Sequence, residues 1–179
     1  GLKSFSEKAV KNLSRIFEWS QTILGSKIDQ PGTVPPRVLK SVIFDGAFCE
    51  DELSAQYGGG VMAASRTDNR FDDRAVRFVK LLETLSIYHI HAHCLIYTTA
   101  AHKYRNVIYE PGNRLSRFHI QLRELMKKME IDDLKERLPI IKHVLIGLES
   151  SQLIETPFFR VFRGLSEQYD LTQINFEVE

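Results

Sequence analysis

Residues 86–97 read SIYHIHAHCLIY, with histidines at 89, 91 and 93. Whether this run is a strand or a helix decides what kind of protein the chain encodes. On a strand the side chains alternate, so His89, His91 and His93 would share one face, as in the His-x-His pairs of some metallohydrolases. On a helix each residue turns by about 100°, which brings His89 and His93 together and sends His91 to the opposite side. The β-branched and aromatic content favours a strand. Three features favour a helix and outweigh it. Ser86 is suited to an N-cap. Neither glycine nor proline interrupts residues 86–110, a length far beyond that of a typical strand. Ile87, Ile90, Cys94, Tyr97 and Ala101 recur at helical spacing and predict the buried stripe.

The chemistry agrees. A hydrolytic zinc or two-metal site needs an open coordination position and, usually, carboxylate ligands or a carboxylate base. No Asp or Glu lies between Thr84 and Glu110, and the chain contains neither H-E-x-x-H nor C-x-x-C. His89 and His93 are the candidate metal ligands, but two ligands make half a site. No metal, cofactor or catalytic residue is assigned.

A chain of 179 residues, 43% hydrophobic and 26% charged, is long enough to bury a proper core. Its 24 basic and 23 acidic residues nearly cancel, so any contact with an acidic partner must come from a local patch. Cys49 and Cys94 do not make a disulfide framework and fit buried thiols in a reducing compartment. The start, GLKSFSEKAVKNL, is charged and amphipathic rather than a signal peptide, and the least polar stretch falls short of a membrane span. The expectation is a cytoplasmic protein without a transmembrane segment.

Around the histidines the chain reads as a succession of helices. Residues 5–24 place Phe5, Ala9, Leu13, Ile16, Phe17 and Ile23 at helical spacing, with Gly25 as the stop. GSKIDQPGTVPPR, residues 25–37, reads as a linker that sets this helix apart. Pro35 and Pro36 lead into a helix with Val38, Leu39, Val42 and Ile43 on its apolar side. CEDELSAQYGGGVMAAS reads as a helix with its acids at the favourable end. Three glycines there cost on the order of 1 kcal/mol each relative to alanine, so another helix backbone should approach Gly58 to Gly60, with a ligand touching bare backbone as the functional alternative. A phosphate loop is excluded, because neither a preceding strand nor Gly-Lys-Ser/Thr is present. In the next helix Asp72 or Asp73 is the expected cap, and Ala75, Phe78, Val79, Leu82 and Leu85 the inner face.

Beyond the turn YEPGN, Asn113 is expected to cap a helix carrying Leu115, Phe118, Leu122, Leu125 and Met129. Asp132 and Pro139 are expected to start two more, the second burying Ile141, Val144, Leu145 and Leu148. Ile174, Phe176 and Val178 alternate and predict a short strand. The fold class is therefore mainly α, a multi-helix bundle with a small C-terminal β element that has the outline of a degenerate winged helix. The organisation expected is an N-terminal amphipathic helix over 1–25, a Pro/Gly-rich linker over 26–37 and a helical domain over 38–179.

Two polar regions are candidates for binding. SRTDNRFDDR crowds Ser65, Arg66, Asp72, Asp73 and Arg74 into one connection, where carboxylates beside arginines can do acid–base chemistry but more often form fork-like pairs. His93 would join them if it packs nearby. Between His102 and Lys128, the positive charges Lys103, Arg105, Arg114, Arg117, Arg123, Lys127 and Lys128 face only Glu110 and Glu124. That excess suits phosphate contact, with Arg114, Arg117 and Arg123 as the residues to test. The would-be recognition helix opens with Pro139, Ile140 and Ile141, where a reader of base edges needs polar side chains.

A proline-led helix, EDELSAQYGGGVMAASRTD, DDRAVRFVKLLETLS, HAHCLIY and HVLIGLESSQLIE before YDLTQ follow in that order. Over roughly residues 35–175 this resembles bacterial proteins of the abortive-infection alpha family. The chain departs from that pattern at Gly58 to Gly60 and lacks the glycine that usually follows Leu-Thr. The resemblance implies a role in phage defence or a related stress response and supplies no catalytic residues. The reading is a non-enzymatic cytoplasmic domain that binds another macromolecule, a protein partner or a second copy of itself. The alternatives are an enzyme or metal-binding protein using His89 and His93 with Asp72 and Asp73, and nucleic-acid binding through residues 103–128.

Overall fold

The computed structural model describes residues 2–49, 51–68, 72–106, 118–132, 137–154 and 173–176. It is mainly helical, with a small two-stranded sheet, and the chain divides into two compact units, Gly1–Ile87 and Tyr88–Glu179. Among the described residues no helix is long and apolar enough to cross a membrane. The division does not fall at residues 25 and 37, where the sequence placed it. The first helix belongs to the core of the first unit.

The first unit holds α1 (Leu2–Leu24), α2 (Pro36–Gly46), α3 (Glu52–Ala64) and α4 (Val76–Thr84). Its core gathers Ile16, Val38, Val42, Ala55, Met62 and Val79. α1 ends where expected: Gly25 takes φ +51°, the left-handed conformation that favours glycine, and opens a short 3-10 turn. Of the apolar residues expected on its inner side, Ile16 is buried while Phe5, Phe17 and Ile23 are exposed. The polar Asn12 and Ser20 are buried instead, and the Asn12 amide donates to the Ala47 carbonyl at 2.9 Å. That bond satisfies a polar group that would otherwise be costly to bury.

Pro36 occupies the first turn of α2, where its missing N–H is not needed. Asp51 caps α3, its carboxylate accepting from the Ser54 N–H at 2.8 Å. α3 runs through all three glycines, and Gly59 is the point at which α1 closes on it. A β-carbon there would stand 2.8 Å from the Ile16 carbonyl oxygen and 2.9 Å from the Ser20 nitrogen. α4 begins at Val76 without a side-chain cap, because both candidate aspartates are engaged elsewhere. Val79 is buried in its inner face, whereas Phe78 is exposed, contrary to the sequence pattern.

The second unit holds α5 (Ile87–Tyr104), β1 (Phe118–Gln121), α6 (Leu122–Lys128), α7 (Arg137–Ser150) and β2 (Gln173–Phe176). The histidine run is helical, as its length required. Its buried stripe is only partly the expected one: Ile90 is buried, Ile87 and Tyr97 are exposed, and His89, Ala92 and Ile96 face inward with Ala100 and Tyr104 packed behind them. Both sets repeat at three and four residues, so periodicity alone could not choose between them.

Phe118 lies in β1, not in a helix, and pairs antiparallel with Phe176, as His119 does with Asn175 and Ile120 with Ile174. The helix expected from Asn113 starts only at Leu122 and buries Leu122, Leu125 and Met126, with Met129 just beyond its end. Asn113, Val178 and the segment after Asp132 lie outside the described residues. Pro139 sits in the first turn of α7, two residues inside it, and Ile141, Val144, Leu145 and Leu148 are buried as expected. Among the described residues this unit combines helices with an antiparallel two-stranded sheet.

Candidate functional site

The polar connection after α3 is a set of internal ties. The Ser65 hydroxyl is buried and donates back to the Met62 carbonyl at 2.8 Å. Arg66 donates through Nε to the Gly32 carbonyl at 2.9 Å, through Nη1 to Lys27 at 2.7 Å, and through Nη2 to Ile28 at 2.8 Å and to Gln30. One guanidinium thus gathers four backbone carbonyls of the 27–32 segment, a task for which a planar fork is well shaped. Beside it Thr33 and Thr67 exchange backbone hydrogen bonds at 2.9 and 3.1 Å. What the sequence marked as a linker is held in place by the residue it marked as a ligand.

Asp73 is paired with Arg37 of α2, and Asp72 forms a bidentate pair with Arg74 at 2.8 and 2.6 Å. Those hydrogen bonds hold the Asp72 carboxyl below its usual range and raise the Arg74 guanidinium further. Each aspartate neutralises an arginine.

The three histidines diverge. His89 is buried and meets His143 of α7 edge-on, with ring centroids 5.1 Å apart. His91 places Nδ1 2.6 Å from the Lys128 carbonyl at the end of α6. His93 stacks on Tyr97 at 4.2 Å, and the Tyr97 hydroxyl donates to the Leu153 carbonyl at 3.0 Å. Burial pushes the pKa of both His89 and His93 down. Among the described residues no three histidines, cysteines or acids converge as a metal would require.

Of the basic candidates, Arg114 and Arg117 lie outside the described residues. Arg123, Lys127 and Lys128 are exposed on α6, opposite the buried Leu122, Leu125 and Met126. On α7 the exposed positions include Pro139, Lys142, His143 and Ile146, a face with few groups able to read a base edge.

Sequence reasoning missed the exposed aromatics of the first unit. Phe48, just beyond α2, is 69% exposed and lies 5.5 Å, ring to ring, from Phe5 of α1. On α2, Phe44 is 65% exposed, with the Lys40 ammonium 6.0 Å from its ring centroid. The signal was present: α2 buries Val38 and Val42 on one side, yet Ile43 and Phe44 continue the apolar run onto the other. Large aromatics this exposed commonly mark contact surfaces. No family model, curated protein or solved structure matches the chain.

Proposed function

We propose that the chain is a non-enzymatic binding domain that engages a protein partner through the Phe5, Phe44 and Phe48 surface of its first unit. The observation that carries this reading is the pair of phenylalanines, Phe44 and Phe48, each about two-thirds exposed. Burying such rings against a partner is worth roughly 1.5–3 kcal/mol apiece, enough to anchor an interface. Lys40 at the edge of the patch favours a partner with an acidic rim. The candidate carboxylates Asp72 and Asp73 pair with Arg74 and Arg37, and the candidate histidines His89 and His93 contact His143 and Tyr97. The setting, phage defence in the bacterial cytoplasm, rests on the resemblance to abortive-infection alpha proteins.

The test is affinity capture from the native host with wild-type protein and a Phe44→Ser/Phe48→Ser variant, each checked for an unchanged melting curve. A stoichiometric partner retained by wild type and lost by the variant supports the reading. A partner retained equally by both overturns it. The exposed Arg123, Lys127 and Lys128 favour a second reading, contact with nucleic acid. It requires duplex affinity that falls steeply with salt and weakens in Arg123→Ala.

A further inference from the structure

We propose that the imidazole of His89, seated in the notch left by Gly147, is an acid-released latch that holds α7 to α5. Three observations in the second unit carry it. The first is the notch. A β-carbon on Gly147 would overlap the His89 Nε2 and stand 2.7 Å from Cδ2, so the glycine, unfavourable within a helix, is what admits the ring. The second is burial: His89 is 5% exposed, in the same inward stripe as Ala92 and Ile96. The third is the partnership across the seam. His89 is hydrogen-bonded to the backbone of His143, and the His143 ring stands edge-on at 5.1 Å.

An apolar ring in this notch would leave the seam indifferent to pH. An imidazole makes it titratable, and the surroundings set the sign. Burial and then the charge of His143 both oppose protonation of His89; the bond to the His143 backbone opposes them only in part. The other ionisable side chains described on α7, Lys142 and Glu149, are not among the groups that shift it. On α5, His91 turns to the Lys128 carbonyl of α6 and His93 to Tyr97. The unfolded chain takes up this proton near the ordinary value of 6.5, and the folded one only at lower pH. The latch is therefore fully closed above about pH 6.5 and weakens as pH falls from there through the lowered folded value.

The experiment compares melting temperatures of wild type and His89→Gln at pH 7.5 and 5.5, since glutamine keeps a donor for the His143 carbonyl and does not titrate. Wild type should lose on the order of 3–6 °C more than the variant on acidification. Proton NMR of wild type supplies a readout that does not depend on the variant folding. The His89 ring should titrate below 6.5, and the methyl signals of Val144, Leu145 and Leu148 should shift with it. Equal acid sensitivity of the two proteins overturns the latch, as does an ordinary His89 midpoint or methyl signals that ignore its titration.

Discussion

Gly59 on α3 lies so close to Trp19 on α1 that a β-carbon on the glycine would stand 2.6 Å from the tryptophan Cβ. The neighbouring glycines are not so confined. At Gly58 the nearest atom would be an Ile16 methyl at 3.5 Å, and at Gly60 the Ile23 Cδ1 at 3.8 Å.

Gly59→Ala should therefore destabilise the first unit by about 2–3 kcal/mol, because the backbone of α1 must move. Gly60→Ala, in the same helix and with room for a methyl, should be neutral or stabilising by up to about 1 kcal/mol. Urea denaturation of the two variants measures both. Equal effects would mean that α1 does not close on α3 at Gly59.

Arg66→Ala should cost about 2–4 kcal/mol, since four carbonyls lose a charged donor at once. Lysine, with one ammonium in place of a planar fork, should restore little of this. Hydrogen exchange reads the effect locally: the Thr33 and Thr67 amides, bonded across the bridge, should lose protection before the core of α3 does.

Much of this was legible beforehand, and the failures have physical causes. Proline at the head of α2, the acids at the head of α3 and the quartet Ile141, Val144, Leu145 and Leu148 are local signals, and each does what its pattern implied. A backbone approach to the glycines was inferable because their helix cost needed compensation. The choice between two stripes on α5 was not, because His89 enters the core only through a notch on a distant helix. Phe118 fits a helical repeat with Leu122 and Leu125, and its strand exists only because residues 173–176 return to pair with it. Of the candidate ligands, Asp72 pairs with Arg74 two residues on, a fork-like pair within reach of the sequence pattern. The partners of Arg66 and Asp73, namely Lys27, Gln30, Gly32 and Arg37, lie too far away in sequence to be guessed.

Cys49 should react slowly with a thiol reagent. Burial raises its pKa, and the nearby Arg15 guanidinium only partly offsets this. In a Cys94→Ser background at pH 7.5, its reaction with dithionitrobenzoate should be several-fold slower than that of the urea-unfolded protein. A rate equal to that of the unfolded chain would place the thiol in open solvent.

Protein dialysed against zinc and then against buffer should retain far less than one ion per chain by elemental analysis. His89→Ala should lower the melting temperature while leaving that content unchanged, because His89 and His93 have separate neighbours. Stoichiometric zinc lost in a His89→Ala/His93→Ala variant would restore the metal reading.

The pairing of Ile120 with Ile174 also sets an order of events during synthesis. Helices α1 to α4 pack on one another within residues 1–87, whereas β1 must wait for its partner strand until Phe176 clears the ribosome. A strand left unpaired for that interval is a template for other nascent chains. Translation halted before Gln173 would thus leave β1 without the strand it pairs with and the second unit prone to aggregate.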